Sequence, residues 1–343
     1  MKKLLILSFI FFLLILIIPK KEKSPNIFLI TLDGVRWQEV FYGIDKELID
    51  NTNYVENKSL LIDRYYSPQL FERREKLMPF TWNYIYKNGK LFGDSLNNSN
   101  FSLTNNMIFS YPGYNEILTG NADPTIKSNA KIYNKNVTVL EKLNQTNNYK
   151  NKIAAFASWD VFPYIINDKR SGIPVNAGYM EELNIETPVV DYINKNQKRT
   201  PIIWENVRLD VYTHNLALEY IKKKKPKLVY IAYGETDDFA HGEKYDFYIN
   251  SLNYTDNMIA ELWGYVQSNK FYKDNTYFII TTDHGRGLME DWAGHGSSKA
   301  SWLAILGPNI EKTGLVEGEF FTNQIAETIM QISKKSKTKI PTD

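Results

Sequence analysis

Apolar residues along the chain gather in short runs rich in β-branched and aromatic side chains, over residues 26–33, 153–158, 228–235, 277–284 and 302–306. Between them, apolar positions recur at three- and four-residue spacing over 112–119, 137–143, 209–225, 245–268 and 321–333. Uninterrupted apolar runs of that length suit strands covered on both faces, and the intervening period suits amphipathic helices. The alternation predicts an α/β fold, a three-layer α/β/α sandwich around a central, mostly parallel sheet. Two intervals break the rhythm, 38–110 and 159–206, both rich in Asn, Lys and aromatics. They are expected to be irregular insertions over the ligand-bearing edge of the sheet.

One apolar run is of another kind. After Met1-Lys2-Lys3, residues 4–18 are apolar except for Ser8. This is the basic n-region and apolar h-region of a secretory signal. As a helix it spans about 22 Å, short of the ~30 Å hydrocarbon core, so it is a marginal membrane span. No small-x-small cleavage pattern follows it, which leaves two alternatives for residues 1–24, a cleaved signal peptide or an uncleaved N-terminal membrane anchor. Both place the protein outside the cytoplasm, secreted, periplasmic or membrane-associated through residues 4–18. Residues 25–333 are then a single catalytic domain, and 334–343 a lysine-rich tail.

Composition removes several function classes. The chain has 343 residues, 43% hydrophobic and 23% charged, which suits one large globular domain. Its 41 basic and 39 acidic residues give a net charge of +2, so no global field favours nucleic-acid binding. Cysteine is absent, which excludes disulfides, thiolate metal sites and a cysteine nucleophile. Metal binding is left to histidines and carboxylates.

Those residue types stand where the apolar runs stop. The first run ends in Asp33-Gly34 and the fourth in Asp283-His284-Gly285-Arg286-Gly287. The third leads into Thr236-Asp237-Asp238-Phe239-Ala240-His241-Gly242, whose four-residue Asp237 to His241 spacing puts both side chains on one face of a helical turn. His295 stands between Gly294 and Gly296. Three of the four histidines in the chain thus lie in glycine-flanked, aspartate-associated contexts. Asp33, Asp237, Asp283, His241, His284 and His295 supply six oxygen and nitrogen donors, enough for two cations. Mixed carboxylate and imidazole donors suit Zn²⁺, with Mn²⁺ the alternative. Two such ions stabilise both the attacking and the leaving oxygen of a displacement at phosphorus. The nucleophile candidate is Ser110, just before Pro112 at the start of a predicted helix, where the alternative is an ordinary N-cap. Arg286 has two readings, a phosphate ligand or a solvent-facing turn residue. Trp159 and Asp160 either line a cleft or belong to the core, and His214 reads as an exposed or satisfied helix histidine.

Asp33-Gly34, the hydroxyl of Ser110 before Tyr-Pro-Gly with Leu-Thr-Gly120 closing its helix, Glu-Thr-Asp237-x-x-x-His241, Thr-Asp283-His284-Gly and His295-Gly follow one another in an order that resembles the alkaline phosphatase superfamily. Within it the set is most similar to the nucleotide pyrophosphatase/phosphodiesterase and phosphoglyceromutase-like branches. The resemblance implies an α/β/α fold, a covalent phosphoserine intermediate and two metals. It assigns Asp33, Asp283, His284 and Ser110 to one metal, and Asp237, His241 and His295 to the other. It also offers Asn129, nineteen residues beyond Ser110, as the asparagine that binds a non-bridging oxygen. The chain departs from the phosphodiesterases, which carry Thr before Phe-Pro-Asn-His. It also lacks the full Cys/Ser-x-Pro-x-Arg pattern of sulfatases, which argues against sulfate esters. The expected activity is hydrolysis of a small-molecule phosphate ester, mono- or diester. The alternatives are a phosphotransferase or mutase on the same metals, or a metal-stabilised binding protein without activity.

Overall fold

The computed structural model describes residues 24–181 and 185–335. Among the described residues there are ten strands, β1 (Asn26–Leu32), β2 (Gly89–Phe92), β3 (Ser99–Ser102), β4 (Ile153–Ala157), β5 (Val175–Ala177), β6 (Leu228–Tyr233), β7 (Thr276–Thr281), β8 (Leu303–Leu306), β9 (Gly314–Leu315) and β10 (Gly318–Phe321). Eight of them form one sheet in the order β5-β4-β6-β1-β7-β8-β2-β9, and β10 pairs with β3 in a second, two-stranded sheet. Every pairing in the large sheet is parallel except those made by β8 with β7 and β2.

Side chains in the central strands alternate between two buried cores, as a sheet covered on both faces requires. Phe28, Ile30, Val229, Ile231, Phe278 and Ile280 face one core, and Ile27, Leu29, Leu228, Tyr230, Tyr277 and Ile279 face the other. Helices Asp210–Lys224 and Tyr245–Ser268 contribute Ala217, Ile221, Leu252, Ile259 and Leu262 to the first. Helices Ser110–Thr119, Val139–Asn144, Phe162–Ile166 and Gln324–Lys334 cover the second with Ile117, Leu140, Ile165 and Ile329. This is the predicted three-layer arrangement.

The five predicted strands are present, and five short ones are added. The interval 38–110 differs from expectation. It is largely helical and packs Leu48, Leu61, Leu77 and Trp82 into the first core, then supplies β2 and β3. Its short elements carry too few apolar residues each to show a period, so their burial was not visible along the chain. The helix predicted from 321 begins at Gln324, because Phe321 is the last residue of β10. Among the described residues no helix is long and apolar enough to cross a membrane. The run 4–18 lies outside them, as does most of the lysine-rich tail.

Candidate metal centre

Strands β6, β1 and β7 are neighbours at the middle of the sheet and run parallel in tight register, with Leu32 opposite Tyr233 and Thr31 opposite Thr281. Their carboxyl ends therefore finish level, and each continues into one predicted donor segment. Asp33 follows β1, helix Glu235–His241 follows β6, and Asp283 and His284 follow β7. Open parallel sheets place ligands at this edge.

Two groups of donors result. Asp33, Asp283 and His284 form one, and Asp237, His241 and His295 the other, with the donor atoms in each within 4.8 Å of one another. The first group is buried throughout. His284 Nδ1 lies 2.9 Å from the Gly285 carbonyl oxygen, an acceptor, so Nδ1 carries the proton and Nε2 is the free donor atom. Nε2 points at Asp33 Oδ1 (3.3 Å), Asp283 Oδ2 (3.5 Å) and Ser110 Oγ (3.4 Å). In the second group His241 Nε2 lies 3.2 Å from Asp237 Oδ2, the one-turn contact that the spacing predicts. The His295 ring packs against both His284 (centroids 4.6 Å apart) and His241 (4.8 Å), so the two groups adjoin.

Three of these donor atoms, Asp33 Oδ1, Asp283 Oδ2 and His295 Nε2, are buried without a hydrogen-bond partner. Orphaned buried polar atoms are costly, and three converging on one place fit a site for cations. The electrostatics agree. Burial and the neighbouring Asp33 push the Asp283 carboxyl well above the usual carboxylate range, while burial opposes but the carboxylates of Asp283, Asp33 and Asp237 outweigh it to raise His284 to about 9. His295 is lowered to about 3, by burial and then by the adjacent His284. Asp238, which lines the same cavity, is raised to about 8 by burial and then by Asp237 and Asp33. So many carboxyls in so little water need protons or metal ions to coexist.

Ser110 is the first residue of helix Ser110–Thr119, and the N-cap position belongs to Phe109, which makes no side-chain cap bond. The N-cap alternative for Ser110 is thereby overturned: its buried hydroxyl turns inward to His284. The helix approaches β7 so closely that only glycine fits at Gly113, where an added Cβ would stand 2.3 Å from the Asp283 carbonyl oxygen. Tyr114, one turn on from Ser110, donates its hydroxyl to Asp33 Oδ2 (2.7 Å) and was not anticipated. Asn129 uses Oδ1 to accept from the Tyr111 backbone amide (3.0 Å), which leaves its NH₂ group as the free end beside Ser110 in the cavity.

That cavity is about 600 Å³ and is lined by Asp33, Ser110, Asn129, Asp237, His241 and His295 on the metal side. Trp159, Asp160, Lys131, Glu205 and Asp238 also line it. Trp159 and Asp160 both border the cavity while Trp159 also packs into the second core, so both readings apply to Trp159, and the 159–206 interval reaches the site. Lys131 is paired with Asp160 at 2.6 Å. Arg286 is 1% exposed, which removes the solvent-facing reading, and its donors are taken by Gly34, Asp237 and the 292–294 backbone. His214 is a buried core residue and not an exposed one, with Nδ1 2.8 Å from the Tyr233 hydroxyl.

The family model for sulfatases matches residues 108–305, more than half of the chain and a span that includes Ser110 and every predicted ligand but Asp33. The chain belongs to the sulfatase family. Within that family Ser110-x-Pro112 keeps the start of the sulfatase pattern, and the departure is one position, Tyr114 in place of arginine. No curated protein sequence matches significantly. Among solved structures, this sulfatase-family chain is similar to the lipoteichoic acid synthase LtaP from Listeria monocytogenes, at 12% identity over 93% of this chain and 74% of that one, with a TM-score of 0.58. It is similar to a protein in the alkaline phosphatase superfamily from Vibrio parahaemolyticus (11% identity, 91% and 66% covered, TM-score 0.52) and to a 2-O GAG sulfatase (11%, 91% and 71%, 0.52). At these identities the likeness is one of fold. Together they place the chain in the alkaline phosphatase superfamily, whose members are hydrolytic enzymes acting on sulfate or phosphate esters with divalent metal ions.

Proposed function

We propose that the protein is a two-metal phosphate-ester hydrolase working through a covalent phosphoserine intermediate on Ser110, with a small-molecule substrate and an extracytoplasmic location. The observation that carries this is the Ser110 hydroxyl, buried at a helix start, 3.4 Å from His284 Nε2 and facing the cavity that the second donor group lines. Asp33, Asp283 and His284 would hold one ion beside it, and Asp237, His241 and His295 the other. Zn²⁺ suits this donor set. Bound there, the ions supply positive charge that lowers the pKa of the serine hydroxyl and of the departing oxygen.

The chain's own residues do the rest. The positive end of the Ser110–Thr119 helix favours the alkoxide over the hydroxyl. Gly113 fixes how close that hydroxyl stands to Asp283 and His284. Tyr114 orients Asp33 by holding Oδ2, so that Oδ1 is the atom presented to an ion. The Asn129 amide would donate to a non-bridging oxygen, with Trp159 lining the same cavity. Three carboxylates against two divalent ions and the permanently charged Arg286 leave the centre cationic, which favours a dianionic phosphate monoester over a monoanionic sulfate ester.

Sulfate-ester hydrolysis is the second reading, favoured by the family match and by Ser110-x-Pro112. One experiment separates them: aryl phosphate monoester, aryl phosphodiester and aryl sulfate offered in parallel to zinc-loaded wild-type protein and Ser110→Ala. Phosphate turnover abolished in the variant, with unchanged metal content, supports the proposal. Turnover of the sulfate alone, or full activity of Ser110→Ala, rejects it.

A further inference from the structure

Arg286 lies behind the donor atoms rather than in front of them, and its contacts cross the boundary between three separate segments. Nε donates to the Gly34 carbonyl (3.2 Å), the turn that follows Asp33. Nη1 donates to the carbonyls of Trp292 (3.4 Å), Ala293 (2.9 Å) and Gly294 (3.2 Å), the stretch that ends immediately before His295. Nη2 donates to the Asp237 carbonyl (3.1 Å) and also pairs with Asp237 Oδ1. Both members of that last pair are largely withdrawn from water, the guanidinium wholly so. The approach depends on Gly34, where a Cβ would stand 2.5 Å from Asp237 Oδ1 and 3.0 Å from Arg286 Nε and Nη2.

The two donor groups are built differently. Asp33, Asp283 and His284 sit at the ends of adjacent strands, whose ladder already fixes them. Asp237 and His241 stand on a seven-residue helix, and His295 on a stretch that belongs to no strand, so the sheet does not hold them in register with one another. Arg286 is the side chain that grips both. With Oδ1 committed to the guanidinium, Asp237 presents Oδ2, the atom that already faces His241. A lysine has no planar fork with which to reach carbonyls on one side and a carboxylate on the other.

We propose that Arg286 is a positioning residue that assembles the second cation site, fixing Asp237 by its carboxylate and His295 through the backbone before it. The inference rests on the two-metal reading above. It is tested by metal titration and elemental stoichiometry on the full chain, wild type against Arg286→Met and Arg286→Lys, with zinc as the probe and circular dichroism as the check on folding. Wild type is expected to bind two zinc ions. Arg286→Met is expected to keep one tightly and to bind the other at least tenfold more weakly, matching Asp237→Asn, which removes a ligand charge and leaves the arginine in place. Arg286→Lys keeps the cation without the fork and is expected to weaken the same ion, which gives a second route should the Met variant not fold. Two ions held at wild-type affinity in both variants overturn the inference, as does equal weakening of both ions in a folded variant. A wild-type protein that binds no zinc or one zinc overturns the two-metal reading itself, and the inference with it.

Discussion

Replacing Gly113 by alanine tests whether the position of Ser110, the proposed nucleophile, depends on the contact between helix Ser110–Thr119 and the end of β7. An ideal Cβ at residue 113 would meet Asp283 O at 2.3 Å, its carbonyl carbon at 3.0 Å and its Cβ at 3.3 Å. The closest comfortable carbon to carbonyl oxygen approach is about 3.3 Å, so roughly 1 Å must be found by moving one backbone or the other. Neither is a flexible side-chain tip. If the helix retreats, Ser110, three residues upstream on the same rigid turn, leaves with it. If the strand end retreats, Asp283 and His284 move instead. Either way the 3.4 Å separation of Ser110 Oγ and His284 Nε2 changes by about that amount. A misplacement of about 1 Å in a reacting group can cost about 100-fold in rate. Overpacking of this kind costs about 1–3 kcal/mol, a fall of several degrees in Tm for a chain of this size. Gly113→Ala is therefore expected to lower kcat about 100-fold on whichever aryl ester the wild type hydrolyses, with KM changed little. Gly264→Ala is the control, since nothing lies within 4 Å of a Cβ there and alanine favours the helix. Wild-type kcat in Gly113→Ala at unchanged Tm would refute the steric argument, and equal losses in the control would show that the assay reports stability instead.

The first donor group should bind metal with a steep pH dependence. Its His284, raised to about 9, holds a proton that an ion must displace, so zinc affinity should fall about tenfold per pH unit as pH drops below about 9. His295, lowered to about 3, is already neutral in that range, so the steep site in competition titrations from pH 6 to 9 should be the one that His284→Ala removes. In the metal-free protein the His284 shift is upward, so its stabilisation is complete below about pH 6.5 and is lost as pH rises through about 9, and the raised Asp283 carboxyl acts in the same direction. Metal-free Tm should therefore decline across that window, and a flat profile would contradict the assignment. For location, fractionation of expressing cells should find the full chain outside the cytoplasm and a chain lacking residues 1–24 inside it. Identical cytoplasmic recovery of both would remove the export reading of residues 4–18.

Donor residues were legible in the sequence because parallel strands code them locally. An apolar run that stops at Asp33 or at Asp283-His284 states both the burial of the strand and the end from which a ligand projects. The i,i+4 spacing of Asp237 and His241 likewise carries its own geometry, confirmed at 3.2 Å. What the sequence hid are the contacts between segments far apart in the chain. Tyr114 reads as an apolar helix residue until Asp33 is seen 2.7 Å from its hydroxyl. Arg286 reads as a turn residue, since no local pattern reveals that six backbone and side-chain acceptors from three segments surround it. The residues of 38–110 form short helices whose few apolar positions are buried by the sheet and not by one another, so periodicity had nothing to register.

The asymmetry between the two donor groups has a chemical consequence. The group beside Ser110 is buried, and its members follow adjacent strands of the sheet, so charge placed there would act on the serine oxygen with little screening and little reorganisation. The other group opens onto the cavity, with the His241 side chain 41% exposed. Trp159, Glu205 and Asp238 line the same cavity. On the proposed reading, activation of Ser110 falls to the strand-borne half, and discrimination among esters to the half built from a short helix, a loop and the 159–206 interval.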